Sequence, residues 1–147
     1  MIMRPFIIGV ALLLGTGVET LAAPAPAPAP ASAPAQAQVD AGRRLFARCT
    51  NCHEVGAGAR NGFGPQLNGI VGRKAGSAPA YAYSAALKQA GFVWDEQKLV
   101  AFIRNSEKVV PGNKMRFLSF MSEKQGAEIV AYLRTQGAVA APPAPKR

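Results

Sequence analysis

Cys49-Thr50-Asn51-Cys52-His53 constrains this chain more than any other stretch, because it holds both cysteines and the only histidine among 147 residues. Two thiols three positions apart share one helical turn, so both can bond to a flat partner lying against that turn. The histidine that follows then sits beneath the same partner. The C-x-x-C-H order is the attachment pattern of a c-type haem: each cysteine forms a thioether with a vinyl group, and the histidine supplies one axial iron ligand. A chain tethered in this way has to fold around a large, flat, apolar group. Two other readings of a C-x-x-C pair fit less well. A zinc site needs four ligands, and no further cysteine or histidine exists to complete one. A dithiol redox motif belongs beside a βαβ pattern, and none is visible.

Both ends of the chain look extraneous to a folded domain. Residues 1–22 carry Arg4 and then an apolar run from Phe6 to Val18. That is the pattern of a signal-peptide core, short for a membrane span. Cleavage after Ala22 follows a small-x-small rule only loosely, with Thr20 in the outer position; Ala35-Gln36-Ala37 fits better but lies far from the apolar run. An uncleaved N-terminal anchor is the alternative. Residues 23–38 form an Ala/Pro-rich linker with prolines at 24, 26, 28, 30 and 34. Such a segment favours extended polyproline geometry and has little to bury. Residues 138–147, with Pro142, Pro143 and Pro145, read as a disordered tail. The folded domain is then residues 39–137, about a hundred residues and enough for one core.

Within that domain the apolar spacing is helical. Val39, Gly42, Phe46 and Cys49 fall on one face of a helix predicted from Val39 to about Cys49. Gly42 weakens that helix, which predicts another helix approaching closely there. Glu54 to Ile70 is rich in Gly and Pro and reads as loop. A short helical turn is expected over Ser84–Gln89. Asp95 is an N-cap for a helix through about Asn105, with Leu99, Phe102 and Ile103 as its stripe. Ser122-Glu123-Lys124-Gln125 is a capping box opening a last helix, with Ile129, Tyr132 and Leu133 inward and Gly137 at its end. No strand run is visible, so the fold class is all-α.

The second axial position decides what such a centre does: open, it binds ligands or catalyses; filled, it favours electron transfer. A second histidine is absent. The domain's thioethers are Met115, in the loop Val110-Pro111-Gly112-Asn113-Lys114-Met115, and Met121, at the approach to the last helix. Either could be a ligand, and either could be packing.

Taken together, the residues resemble a known family, the class I cytochromes c, of the mitochondrial cytochrome c and bacterial cytochrome c2 type. The resemblance runs from about Asp40 to Gln136. It rests on Gly42-x-x-x-Phe46 in a first helix that crosses the helix bearing Tyr132, and on Gly64-Pro65-Gln66-Leu67. It rests also on Gly72-Arg73-Lys74, on Tyr81-x-Tyr83, on Gly91-Phe92-Val93-Trp94, and on Pro111-Gly112-Asn113-Lys114-Met115. The resemblance implies a cytochrome c fold, helices and loops wrapped round one haem c bound through Cys49 and Cys52. It implies His53 and Met115 as iron ligands, the Pro65 carbonyl as partner of the histidine, and Arg73, Tyr83 and Trp94 around the haem propionates. Two departures stand out. Asn113 stands where mitochondrial members usually have Thr, which bears on a polar contact at the haem edge. Only two residues separate Phe46 from Cys49, one fewer than in mitochondrial proteins, which favours a bacterial member.

The resemblance implies a one-electron carrier, soluble or tethered, shuttling between respiratory or photosynthetic complexes, and not an enzyme. The competing class is a haem peroxidase or gas sensor with a displaceable Met. Residues 38–137 carry 14 Lys and Arg against seven Asp and Glu, a net of +7. A basic surface suits nucleic acid, anionic membrane or an acidic protein. With scattered charges and an exported domain, the expected partners are acidic redox proteins: an oxidase, a quinol–cytochrome c oxidoreductase, a reaction centre or a dehydrogenase, with no nucleic acid. Arg48 and Lys114, then Lys74 and Lys88, are placed at the exposed haem edge. The expected location is the bacterial periplasm, and the expected state is a monomer with a possible N-terminal membrane tether.

Overall fold

The computed structural model describes residues 33–137. The predicted signal or anchor segment, the linker up to residue 32 and the tail from 138 lie outside the described residues. Five helices follow one another: α1 (Ala33–Phe46), α2 (Ala85–Gln89), α3 (Glu96–Arg104), α4 (Ser106–Val109) and α5 (Glu123–Thr135). Among the described residues the only strand-like pairing is an isolated antiparallel bridge between Lys74 and Val93.

The first helix differs from expectation at both ends. It starts at Ala33, six residues before the predicted Val39, and so takes in the C-terminal part of the predicted linker. The physical reason is local. Pro34 falls in the first turn, where a missing N–H costs nothing. Ala35, Gln36, Ala37 and Gln38 are good helix formers, and the Gln36 amide donates to Asp40 one turn on. The helix stops at Phe46 rather than Cys49, and the chain continues in tight turns through Cys52.

Two of the predicted caps are present as read. Asp95 accepts the Lys98 N–H at the start of α3, and Ser122 and Gln125 form a reciprocal capping box on α5. Ser84 caps α2 by accepting the Leu87 N–H. The last helix ends at Thr135, capped through Gln136, two residues before Gly137. Helix α4 has no counterpart in the sequence pattern. Asn105 closes α3 with its N–H on the Ala101 carbonyl, and its side chain opens α4 by accepting the Lys108 N–H. A single residue thus turns the chain from one helix into the next.

The core is built where α1 and α3 pack on α5. Ile129 and Val130 are nearly inaccessible at its centre, with Phe46, Leu99, Phe102 and Leu133 around them. Gly42 lies against α5: a Cβ there would overlap the Glu128 carbonyl and press on Tyr132 Cβ at 3.0 Å. That close approach is the compensation expected for a glycine inside a helix. Phe46 and Tyr132 stack with centroids 5.5 Å apart, and Tyr132 itself is half-buried rather than fully inward.

Candidate functional site

The attachment turn grows directly out of α1. Cys49 N–H donates to the Phe46 carbonyl at 2.7 Å, then Cys52 and His53 N–H both donate to the Cys49 carbonyl at 3.1 and 2.9 Å. The two thiols therefore sit on one closed turn, as their spacing predicted, and neither is in a disulfide. Cys52 is exposed and Cys49 half-buried. Burial pushes the Cys49 thiol up to about 11, against the pull of the neighbouring Arg48.

His53 is oriented by a backbone partner. Its Nδ1 lies 2.7 Å from the Pro65 carbonyl oxygen. A carbonyl only accepts, so Nδ1 carries the proton and Nε2 holds the free lone pair. Burial lowers the imidazole pKa, opposed by the Pro65 hydrogen bond and assisted by the charge of Arg73. Both the tautomer and the charge state suit metal ligation. Gly64 leaves the ring room, since a Cβ there would collide with the imidazole.

The Glu54–Ile70 loop is held by side-chain amides that the motif reading did not single out. Asn68 pairs with both backbone groups of Gly56, at 2.7 and 2.8 Å, while Asn61 and Gln66 bond backbone N–H groups within the same loop. Asn and Gln spaced among glycines were the available signal, because such side chains stand in for missing backbone partners. Arg73 adds two bonds to this loop, to the Gln66 carbonyl at 3.0 Å and the Asn68 carbonyl at 3.3 Å.

Arg73, Tyr83 and Trp94 come together in one region. The Arg73 carbonyl accepts the Trp94 N–H at 2.9 Å, and the Trp94 carbonyl accepts the Gly72 N–H. Tyr83 feels the Arg73 charge, although burial dominates and raises its phenol. Burial likewise lowers Arg73. Trp94 is buried in an aromatic cluster, edge-on to Phe92 at 4.8 Å and tilted against Phe102 at 4.9 Å.

The two thioethers are treated differently. Met121 is buried within the main cluster, whereas Met115 is only half-buried and packs at that cluster's margin. The Met115 N–H donates to Asn113 Oδ1 at 2.8 Å, and its carbonyl accepts the Ser106 hydroxyl at 3.2 Å. Asn113, whose residue type bears on a polar contact at the haem edge, uses its carboxamide inside this loop.

The donor set fits a haem better than a bare ion. It offers two thiols on one turn, an imidazole with Nε2 free and a half-buried thioether; among the described residues no cluster of three His, Cys, Asp or Glu could hold a metal alone.

Comparison with known proteins agrees with this chemistry. A family model described as cytochrome c matches residues 39–137. Cytochrome c2 of Rhodoblastus acidophilus is 47% identical over 94 residues, spanning 64% of this chain and 88% of that protein. The solved structure of cytochrome cH from Methylobacterium extorquens superposes with a TM-score of 0.62 at 43% identity, covering 66% of this chain and 97% of the other. Cytochrome c2 from Rhodospirillum centenum gives 0.64 at 28% identity over 67% and 98%. From Val39 to Gly137, then, the chain belongs to the cytochrome c family.

Proposed function

We propose that this chain carries single electrons through one haem c bound by Cys49 and Cys52, with His53 Nε2 and Met115 Sδ as axial ligands. The observation that carries the ligand assignment is the His53–Pro65 hydrogen bond, which leaves Nε2 as the only free lone pair on the ring. When bound, the haem supplies an iron that alternates between ferric and ferrous states. The chain's own residues set the conditions. Pro65 fixes the imidazole plane and strengthens it as a donor. The soft thioether of Met115 favours the ferrous state relative to a second imidazole. With both His53 and Met115 holding the iron, little room would remain there for a substrate, which suits electron transfer. Arg73 has N–H groups beyond the two that hold the Gln66–Asn68 loop, and with Tyr83 and Trp94 it would balance buried propionates, which are costly unpaired.

The electron passes to acidic partner surfaces. Arg48, Lys74, Lys88 and Lys114 are all exposed, and the domain's excess of positive charge favours rapid, salt-sensitive encounter. Relatives named as bacterial cytochromes c2 and the apolar segment before the linker support a periplasmic location, with the mature N-terminus at residue 23 or an anchor retained.

The test of the ligand set is spectroscopic. Oxidised holoprotein should show the weak far-red band of a methionine thioether on ferric iron, and Met115→Ala should abolish it while Met121→Leu keeps it. Survival of the band in Met115→Ala transfers the role to Met121, and a high-spin wild-type ferric spectrum sinks the carrier reading in favour of a ligand-binding centre.

A further inference from the structure

The loop that carries Met115 is closed onto α4 by a carboxylate that no part of the electron-carrier reading uses. Glu107, on α4, accepts the Gly112 N–H on Oε1 at 2.9 Å, and its Oε2 accepts from Asn113 Nδ2 at 3.3 Å. The same Asn113 Nδ2 donates to the Val110 carbonyl at 2.9 Å, while Oδ1 accepts the Met115 N–H at 2.8 Å. Asn113 is 1% exposed, and these are the hydrogen bonds of its carboxamide. Arg116 reaches back to the Asn113 carbonyl at 2.7 Å.

The orientation of that amide is dictated. Turned over, Oδ1 would face the Glu107 carboxylate and the Val110 carbonyl, and the NH2 group would face the Met115 N–H, so every contact would be mismatched. Glu107 is the charged member of the set, and bonds to a charged acceptor are the stronger kind. It also grips the turn twice, through Gly112 and through Asn113.

We propose that Glu107 and Asn113 form a clasp that positions Met115 and thereby sets how often the thioether leaves the iron. Glu107 is a positioning residue: its hydrogen bonds go to Gly112 and Asn113, and it acts on Met115 through them. The proposal rests on Met115 being the ligand. It extends that reading by naming the groups that govern how readily the sixth position opens.

The experiment uses ferric holoprotein and added imidazole, which can bind iron only when Met115 has let go. Loss of both Glu107 bonds in Glu107→Ala should tighten apparent imidazole binding about tenfold or more, as expected when local opening no longer has to break bonds to a carboxylate. Glu107→Gln keeps one acceptor and should fall between wild type and Glu107→Ala. Glu123→Gln removes the same charge from an exposed site on α5 and should match wild type. Global unfolding of the reduced holoprotein, followed by Trp94 fluorescence, should move little in Glu107→Ala. Unchanged imidazole affinity in Glu107→Ala, with the far-red band present in wild type, overturns the clasp alone. An affinity gain that Glu123→Gln reproduces, or that is matched by an equal loss of global stability, overturns it too. A wild-type protein without the band overturns the Met115 assignment, and the clasp with it.

Discussion

Gly64 is where one absent side chain does most for the proposed centre, because a Cβ there would occupy the space of the His53 ring. Gly64→Ala should leave the helices formed in the holoprotein that does assemble, as judged by its far-ultraviolet circular dichroism. It should also lower the yield of holoprotein several-fold, since ring and backbone cannot both keep their places. Retention of wild-type yield and spectrum would show that the loop has slack. At this scale the sequence was informative where chemistry demands a residue type: Cys49, Cys52, His53 and Pro65 were readable from spacing and resemblance. Glu107 was not. A single acidic residue on a one-turn helix has no pattern of its own, and its importance arises only when the turn at Gly112 folds back over it. Asn113 was visible as a departure from the family position, but its bonds within the loop were not, because a residue type says nothing about which way a carboxamide points.

Helix starts were legible where a capping side chain opens a longer helix, as at Asp95 and Ser122, but not at Asn105, whose cap opens a single turn. Where composition misled, at Ala33–Gln38, the prolines suggested a spacer, although only Pro34 lies within the helix and it occupies the first turn, where proline is tolerated. The contact between α1 and α5 is the element-scale feature most open to test. Gly42→Ala places a methyl into the Glu128 carbonyl, and overpacking of that kind costs about 3 kcal/mol, measurable as a shift in the denaturant midpoint of the holoprotein. A change under about 0.5 kcal/mol would mean the helices separate freely. The α3 cap yields a pH prediction. The Lys98 side chain and the Lys98 N–H hold the Asp95 carboxyl below its ordinary range. A lowered folded value means its stabilisation is complete above the ordinary carboxylate range and disappears as pH falls through the lowered value. Asp95→Ala should therefore melt lower than wild type at neutral pH, and the gap should close on acidification from about pH 5 towards 2. A gap that does not depend on pH would assign the effect to helix propensity instead.

Across the whole molecule, the excess of positive charge is spread over residues from several elements, which makes it a property of the surface rather than of one site. Reversing two of those charges, in Arg48→Glu with Lys114→Glu, should slow electron transfer to an acidic partner about tenfold at low ionic strength. The difference should shrink towards zero near 0.5 M salt, where the screening length is only a few Å. Equal rates at low salt would remove these residues from the docking face. The architecture also has a consequence for the order of events during synthesis. Gly42 and Glu128 meet although 86 positions separate them, so the central helix pair cannot form until α5 has been made. Contacts of such long range are slow to form. Until the last helix arrives, Phe46, which leads into the turn carrying Cys49 and Cys52, lacks the Tyr132 ring it stacks on. The helix behind the attachment turn is thus seated only when the final helix docks, which makes closure of the core the last step of folding.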